Sequence, residues 1–117
     1  MHTEITELFE RDESILNRKR EEFRVCLIES IEEVLSFSRV VLNFLELNSD
    51  FREQSILESP KNFSCGLEDL FGDSARGIED LIVERLYKKI NKKYIRDRDK
   101  KFEDHIKDGL KGYIEYY

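Results

Sequence analysis

Residues 66–90 read GLEDLFGDSARGIEDLIVERLYKKI, two apolar patterns separated only by Gly72, Asp73 and Ser74. Leu67, Leu70 and Phe71, with Phe63 before them, recur at steps of four, three and one, which places them on one side of a helix. Ala75 and Ile78 begin a second face that continues through Leu81, Ile82, Leu86 and Ile90. A glycine just past a helix end adopts the left-handed conformation that closes it, and Asp73 or Ser74 stands ready to accept the free N–H groups of the next helix. The stretch therefore predicts a tight helix-to-helix corner, with Ala75 and Gly77 small enough for close approach of the two helices.

Working back from the corner, Ser59 and Pro60 read as N-cap and first position of the helix that Gly72 ends. Before them, NSDFREQSILESP holds only Phe51, Ile56 and Leu57 as apolar anchors. In SFSRVVLNFLELNSD the apolar positions 37, 40, 41, 44 and 45 are helical in spacing, not alternating, and Ser36 or Ser38 is available as a cap. From Ile5 to Leu35 there is no Gly or Pro, and one apolar stripe runs through the segment, with Thr3 placed to cap it. This predicts one long helix or two collinear ones. Its first part, residues 1–22, has a thin stripe among strongly charged neighbours and reads as an arm leaving the domain body.

Beyond Ile90, Asp97 or Asp99 is placed to cap a last helix whose Phe102, Ile106, Leu110, Tyr113, Ile114 and Tyr117 share a face. Gly109 and Gly112 each cost about 1 kcal/mol in a helix interior relative to Ala, which makes this helix the weakest. The whole predicts a single all-α domain over residues 1–117, with five helices near 4–35, 38–48, 60–71, 74–91 and 99–115. The expected core is Leu27, Ile31, Val34, Leu35, Val41, Phe44, Leu45, Phe63, Leu67, Leu70, Phe71, Ile78, Ile82 and Leu86.

Composition agrees with one folded helical domain: of 117 residues, 39% are hydrophobic at regular spacing and 39% are charged, and Pro occurs once. The net charge of −6 is unevenly spread, because residues 1–84 carry −11 and residues 85–117 carry +5. Cys26 and Cys65 read as free, largely buried thiols of a reducing compartment. With no apolar run long enough to span a bilayer and no basic-then-apolar N-terminus, the expected location is the cytoplasm, away from any membrane.

Residues 28–90 contain an early helix ending near EEVLS, a second helix, an acidic loop before SPKNF, and the block LEDLFGDSARGIEDLIVERLYKKI with its FG corner. In that order and spacing the span resembles the Nitrosopumilus output domain family, small archaeal helical domains found alone or attached to signal-receiver domains. The resemblance covers about half the chain and implies an output or adaptor module. It implies no chemistry.

The residues themselves point the same way. Asp104, His105 and Asp108 have ligand-like spacing, but zinc needs about four ligands and the cysteines lie far off in sequence, so no metal or cofactor is expected. No nucleophile–base signature or phosphate-cradling loop is present, and adjacent carboxylates such as Glu32 with Glu33 are ordinary in so acidic a chain; the expectation is a non-enzymatic domain. Its expected partner is itself, as a homodimer, or another protein. Ile5, Leu8, Phe9, Ile15 and Leu16 form the candidate self-association stripe, though the same stripe suits a plain amphipathic helix packed on its own domain. The aromatic C-terminus GYIEYY is read as packed down. Nucleic acid is the alternative partner. Arg85, Lys88, Lys89, Lys92, Lys93, Arg96 and Arg98 would neutralise phosphates, with Tyr87 and Tyr94 available for stacking. The same lysines also suit a helix C-terminus, where positive charge complements the macrodipole.

Overall fold

The computed structural model describes the backbone of residues 2–116 and the side chains of residues 13–115. It is all-helical: α1 (His2–Val34), α2 (Ser38–Asn48), α3 (Pro60–Phe71), α4 (Ala75–Lys89) and α5 (Phe102–Tyr116), with short 3-10 turns at Glu53–Ser55 and Gly72–Ser74. No strand occurs among the described residues. Among the described residues no helix is long and apolar enough to cross a membrane. With no breaker inside it, α1 is a single helix of 33 residues, about 50 Å long.

The corner closes as the glycine requires. Gly72 has φ 57° and ψ −132°, a combination that only glycine adopts without strain, and its N–H donates to Glu68 O. Neither Asp73 nor Ser74 caps α4 through its side chain. A 3-10 turn spans the three residues instead, and Ala75 N–H donates to Gly72 O. The serines before α2 and α3 likewise make no side-chain cap. Ala75 is buried as expected, but a Cβ at Gly77 would meet open space. The close approaches are elsewhere: a Cβ on Gly66 would lie 2.6 Å from Leu45 Cδ2, and one on Gly109 3.0 Å from Tyr87 Cε1.

α4 ends in a second left-handed residue. Asn91, at φ 55°, lets its own N–H reach Lys88 O and the Lys92 N–H reach Tyr87 O, a Schellman pattern with Asn in the usual glycine place. The chain reverses there, and residues 91–101 return along α4, with Tyr94 and Arg96 meeting Asp80 and Arg76 bonding the carbonyls of Asp97 and Lys100. Consequently α5 starts near the beginning of α4 and runs parallel to it, while α1 runs antiparallel to both. Lys19 reaches Ile114 O and Tyr113 reaches Glu22 at one end; Glu33 takes Lys89 at the other.

The core gathers around Phe23, Leu27, Ile31, Phe63, Leu67, Ile82 and Leu86, all fully buried. Phe51, Phe63 and Phe102 form a chain of tilted rings with centroids 5.6 and 5.5 Å apart, tying the segment before α3 to α3 and α5. Three expected core residues lie outside it: Phe44, Leu70 and Phe71 are exposed, while Val34, Val41 and Ile78 are half-buried against it. The last helix is better held than its glycines suggest. Phe102 and Ile106 are buried, and Gly109 gives the rings of Tyr87 and Phe23 room to pack on its backbone. Its start is fixed by Asp104, whose carboxylate accepts the Lys101 N–H, the reach-back half of a capping box, rather than by Asp97 or Asp99.

Candidate functional site

The residues that sequence reasoning placed in the basic segment do not form one patch. Lys89 Nζ lies 2.6 Å from Glu33 and 3.8 Å from Glu29, and Arg85 lies 3.9 Å from Glu33, so both serve the α1–α4 seam. Glu33 is held below the usual carboxylate range by the Lys89 hydrogen bond. Arg96 pairs with Asp80, and the Lys92 ammonium sits 5.6 Å from the centre of the Tyr87 ring. Lys88, Lys93 and Arg98 remain exposed with no acidic partner among the described residues. The two interleaved tyrosines are used internally. Buried Tyr87 donates to His105 O at 2.7 Å, and Tyr94 donates to Asp80 with its ring against Tyr87 and His105. Excess negative charge in the first part of the chain and positive charge in the last thus meet within one molecule.

A cleft of about 370 Å³ opens between α3 and the starts of α4 and α5, lined by Ser64, Cys65, Arg76, Glu79 and Lys101 among others. Ser64 Oγ donates to Glu79 Oε1 at 2.7 Å, and burial pushes the Glu79 carboxyl above its ordinary value. Cys65 is a free thiol and exposed rather than buried; Cys26 is free and half-buried. His105 is not in this cleft. It is buried between Tyr87 and Tyr94, its Nε2 without a hydrogen-bond partner among the described residues, so the cleft does not place an imidazole beside the thiol. Asp104 accepts the Lys101 N–H and Asp108 accepts from Lys100 Nζ. Among the described residues no three His, Cys, Asp or Glu side chains come together.

Of the candidate self-association stripe, Ile15 and Leu16 stand half exposed on α1, and residues 13–18 touch solvent throughout. The side chains of Ile5, Leu8 and Phe9 lie outside the described residues, as do those of Tyr116 and Tyr117. Tyr113 is packed, its ring 5.9 Å from Phe23 and its hydroxyl on Glu22.

The most unusual surface is on α2. Leu42 and Leu45 point inward and are buried, with Leu45 against the Gly66 backbone. About 150° round the same helix, Val40, Phe44 and Leu47 point outward, 66%, 46% and 84% exposed, and Phe37, the N-cap residue just before the first turn, is 77% exposed. Taking roughly 150–200 Å² for a fully exposed apolar side chain, the stripe shows solvent about 500 Å², at the upper end of patches on monomers. It carries no charge. The two charged residues of α2 lie on another arc and are engaged: Arg39 with Glu32 and Glu53, and Glu46 with the Glu53 N–H. The C-terminal end of the helix is pinned by Arg52, whose guanidinium donates to the carbonyls of Glu46, Ser49 and Phe51.

Comparison with known proteins adds no second line of evidence. No family model, curated protein or solved structure matches this chain.

Sequence reasoning placed Phe44 in the core beside Val41 and Leu45 and left out Leu42, whereas Phe44 is exposed and Leu42 fully buried. The signal against that reading is the count itself. VVLNFLEL distributes apolar side chains over two arcs of one helix, and a helix at the edge of a small domain buries only one of them.

Proposed function

We propose that this chain is a protein-interaction module of the signalling-output or adaptor kind, without a catalytic role and working in the cytoplasm. One observation carries the reading: a charge-free apolar stripe of about 500 Å² on α2, in a protein where 39% of residues are charged. A solvated helix in so polar a chain has no need of two exposed phenylalanines and a leucine on one line, whereas a binding surface needs an apolar centre with a polar rim. The output or adaptor assignment rests on the resemblance of residues 28–90 to the Nitrosopumilus output domain family. The exposed free thiol of Cys65 suits a reducing compartment.

The test is a comparison of the full chain with its Leu47→Glu variant, by light scattering and by affinity capture from the native cytoplasm. Leu47 is mostly solvent-exposed, so the substitution leaves the fold intact while placing a charge in the stripe. Loss of bound protein, whether copies of this chain or others, supports the reading. An identical mass and an identical captured set for both proteins would refute it.

A further inference from the structure

Resting on that reading, we infer that the occupant of the α2 stripe is a second copy of this chain, docked antiparallel about a two-fold axis near Leu42. Three observations carry this. The first is spacing: Phe37, Val40, Phe44 and Leu47 are separated by three, four and three residues, so the stripe reads the same in both directions. Turned end for end, a second α2 sets its Leu47 opposite Phe37 and its Phe44 opposite Val40, and each large side chain meets a smaller one. That is the self-complementarity an isologous contact requires.

The second observation is charge. Each copy carries −6, so two copies repel each other overall. The α2 stripe is flanked by Ser36, Asn43 and Asn48, and the helix's own Arg39 and Glu46 are already paired within the molecule. This face brings no like charges together. A partner recognised by charge, such as a basic protein or a nucleic acid, would find nothing here to pair with.

The third is area. A standard interface buries about 800 Å² on each partner, of which a little over half, about 450 Å², is apolar. The exposed stripe, at about 500 Å², supplies that apolar centre alone, and the neighbouring polar side chains supply a rim. Association through it is apolar in origin, so rising salt leaves it unchanged or strengthens it, whereas an acidic-to-basic contact between copies would weaken.

The experiment is sedimentation equilibrium of the full chain from micromolar to submillimolar concentration, at low and high salt. The expected result is a dimer that persists at high salt and that Leu47→Glu weakens by at least about 100-fold, since each substitution occurs twice in a two-fold contact. The double variant Phe37→Lys/Leu47→Glu distinguishes the orientation: antiparallel docking puts Lys opposite Glu and restores association relative to Leu47→Glu alone, whereas parallel docking opposes like charges. Cross-linking gives an independent readout. With Cys26 and Cys65 replaced by Ala, the Phe37→Cys/Leu47→Cys chain oxidises to a covalent dimer, and Phe37→Cys alone does not, because the two copies of residue 37 lie about 15 Å apart along the axis.

A wild-type chain that stays monomeric at every concentration overturns the inference. So does a dimer indifferent to Leu47→Glu, or one that dissolves instead when Ile15 and Leu16 are made charged. If the wild type is monomeric yet captures other proteins through an intact α2 stripe, this inference fails and the interaction-module reading stands.

Discussion

Two leucines five residues apart on α2 put the placement of this helix to a direct test. Leu42→Ala and Leu47→Ala remove the same atoms from the same helix, so helix propensity and unfolded-state effects cancel in the comparison. Leu42 is fully buried, and truncating such a side chain costs transfer free energy plus a cavity, about 3 kcal/mol. Leu47 is 84% exposed; at about 25 cal/mol per Å², the small covered part is worth about 0.6 kcal/mol. An unfolding entropy of about 2.1 cal/mol/K per residue makes 1 kcal/mol equivalent to about 4 °C in a chain of this length. Leu42→Ala therefore lowers Tm by about 12 °C and Leu47→Ala by about 2 °C. The assay is thermal unfolding by circular dichroism, with urea midpoints as a second measure, at a concentration low enough that self-association does not contribute. Equal losses for the two variants would mean that α2 is rotated about its axis relative to this description, and the stripe with it.

Other expectations concern the last helix and its neighbours. Burial first, and Lys100 second, hold the His105 imidazole below its ordinary pKa of 6.5, against the opposing pull of Asp108 and Asp80. The folded protein thus binds this proton less readily than the unfolded chain, so stability is complete above pH 6.5 and declines as pH falls below it. His105→Leu should shrink the difference in urea midpoint between pH 7.5 and pH 5.5, and an unchanged difference would exclude His105 as its source. Gly109→Ala gains about 1 kcal/mol of helix propensity but forces a methyl against Tyr87, tethered to His105 O, and fully buried Phe23, for a net loss of about 1 kcal/mol. Gly77→Ala, with open space before it, gains about 1 kcal/mol; like signs for the two in urea unfolding would refute the packing account. Asp104→Ala should cost about 1 kcal/mol through the lost bond to Lys101 N–H, while Asp99→Ala stays within about 0.5 kcal/mol; equal losses would return the cap to the earlier aspartates.

Much of the helix layout was legible because its causes are local. Pro60 at a first helical position, Gly72 at a closing one and the 3.6-residue recurrence from Phe63 to Leu86 act within a turn or two of themselves, and the boundaries near 60–71 follow from them. Asn91 was a readable signal too, since asparagine tolerates the left-handed conformation, but its consequence was not: a return along α4 that makes α5 its parallel neighbour. The basic segment shows the same limit. Lys89 and Glu33 are 56 residues apart in sequence, so the cations read as available for phosphate are partly spent on a pairing that no local pattern announces.

The chain's own order of residues determined that it is helical, where most of its helices begin and end, and that its charge is divided between its two ends. Those properties follow from propensity, capping and composition, which operate over a few neighbours. Which arc of α2 faces inward, whether Gly109 is a weakness or a seat for two rings, and which charges stay unpaired were decided only by assembly. Each depends on what lies across the interior from it. A helix with two apolar arcs buries whichever one meets the greater matching surface, and on α2 that left Phe37, Val40, Phe44 and Leu47 facing solvent.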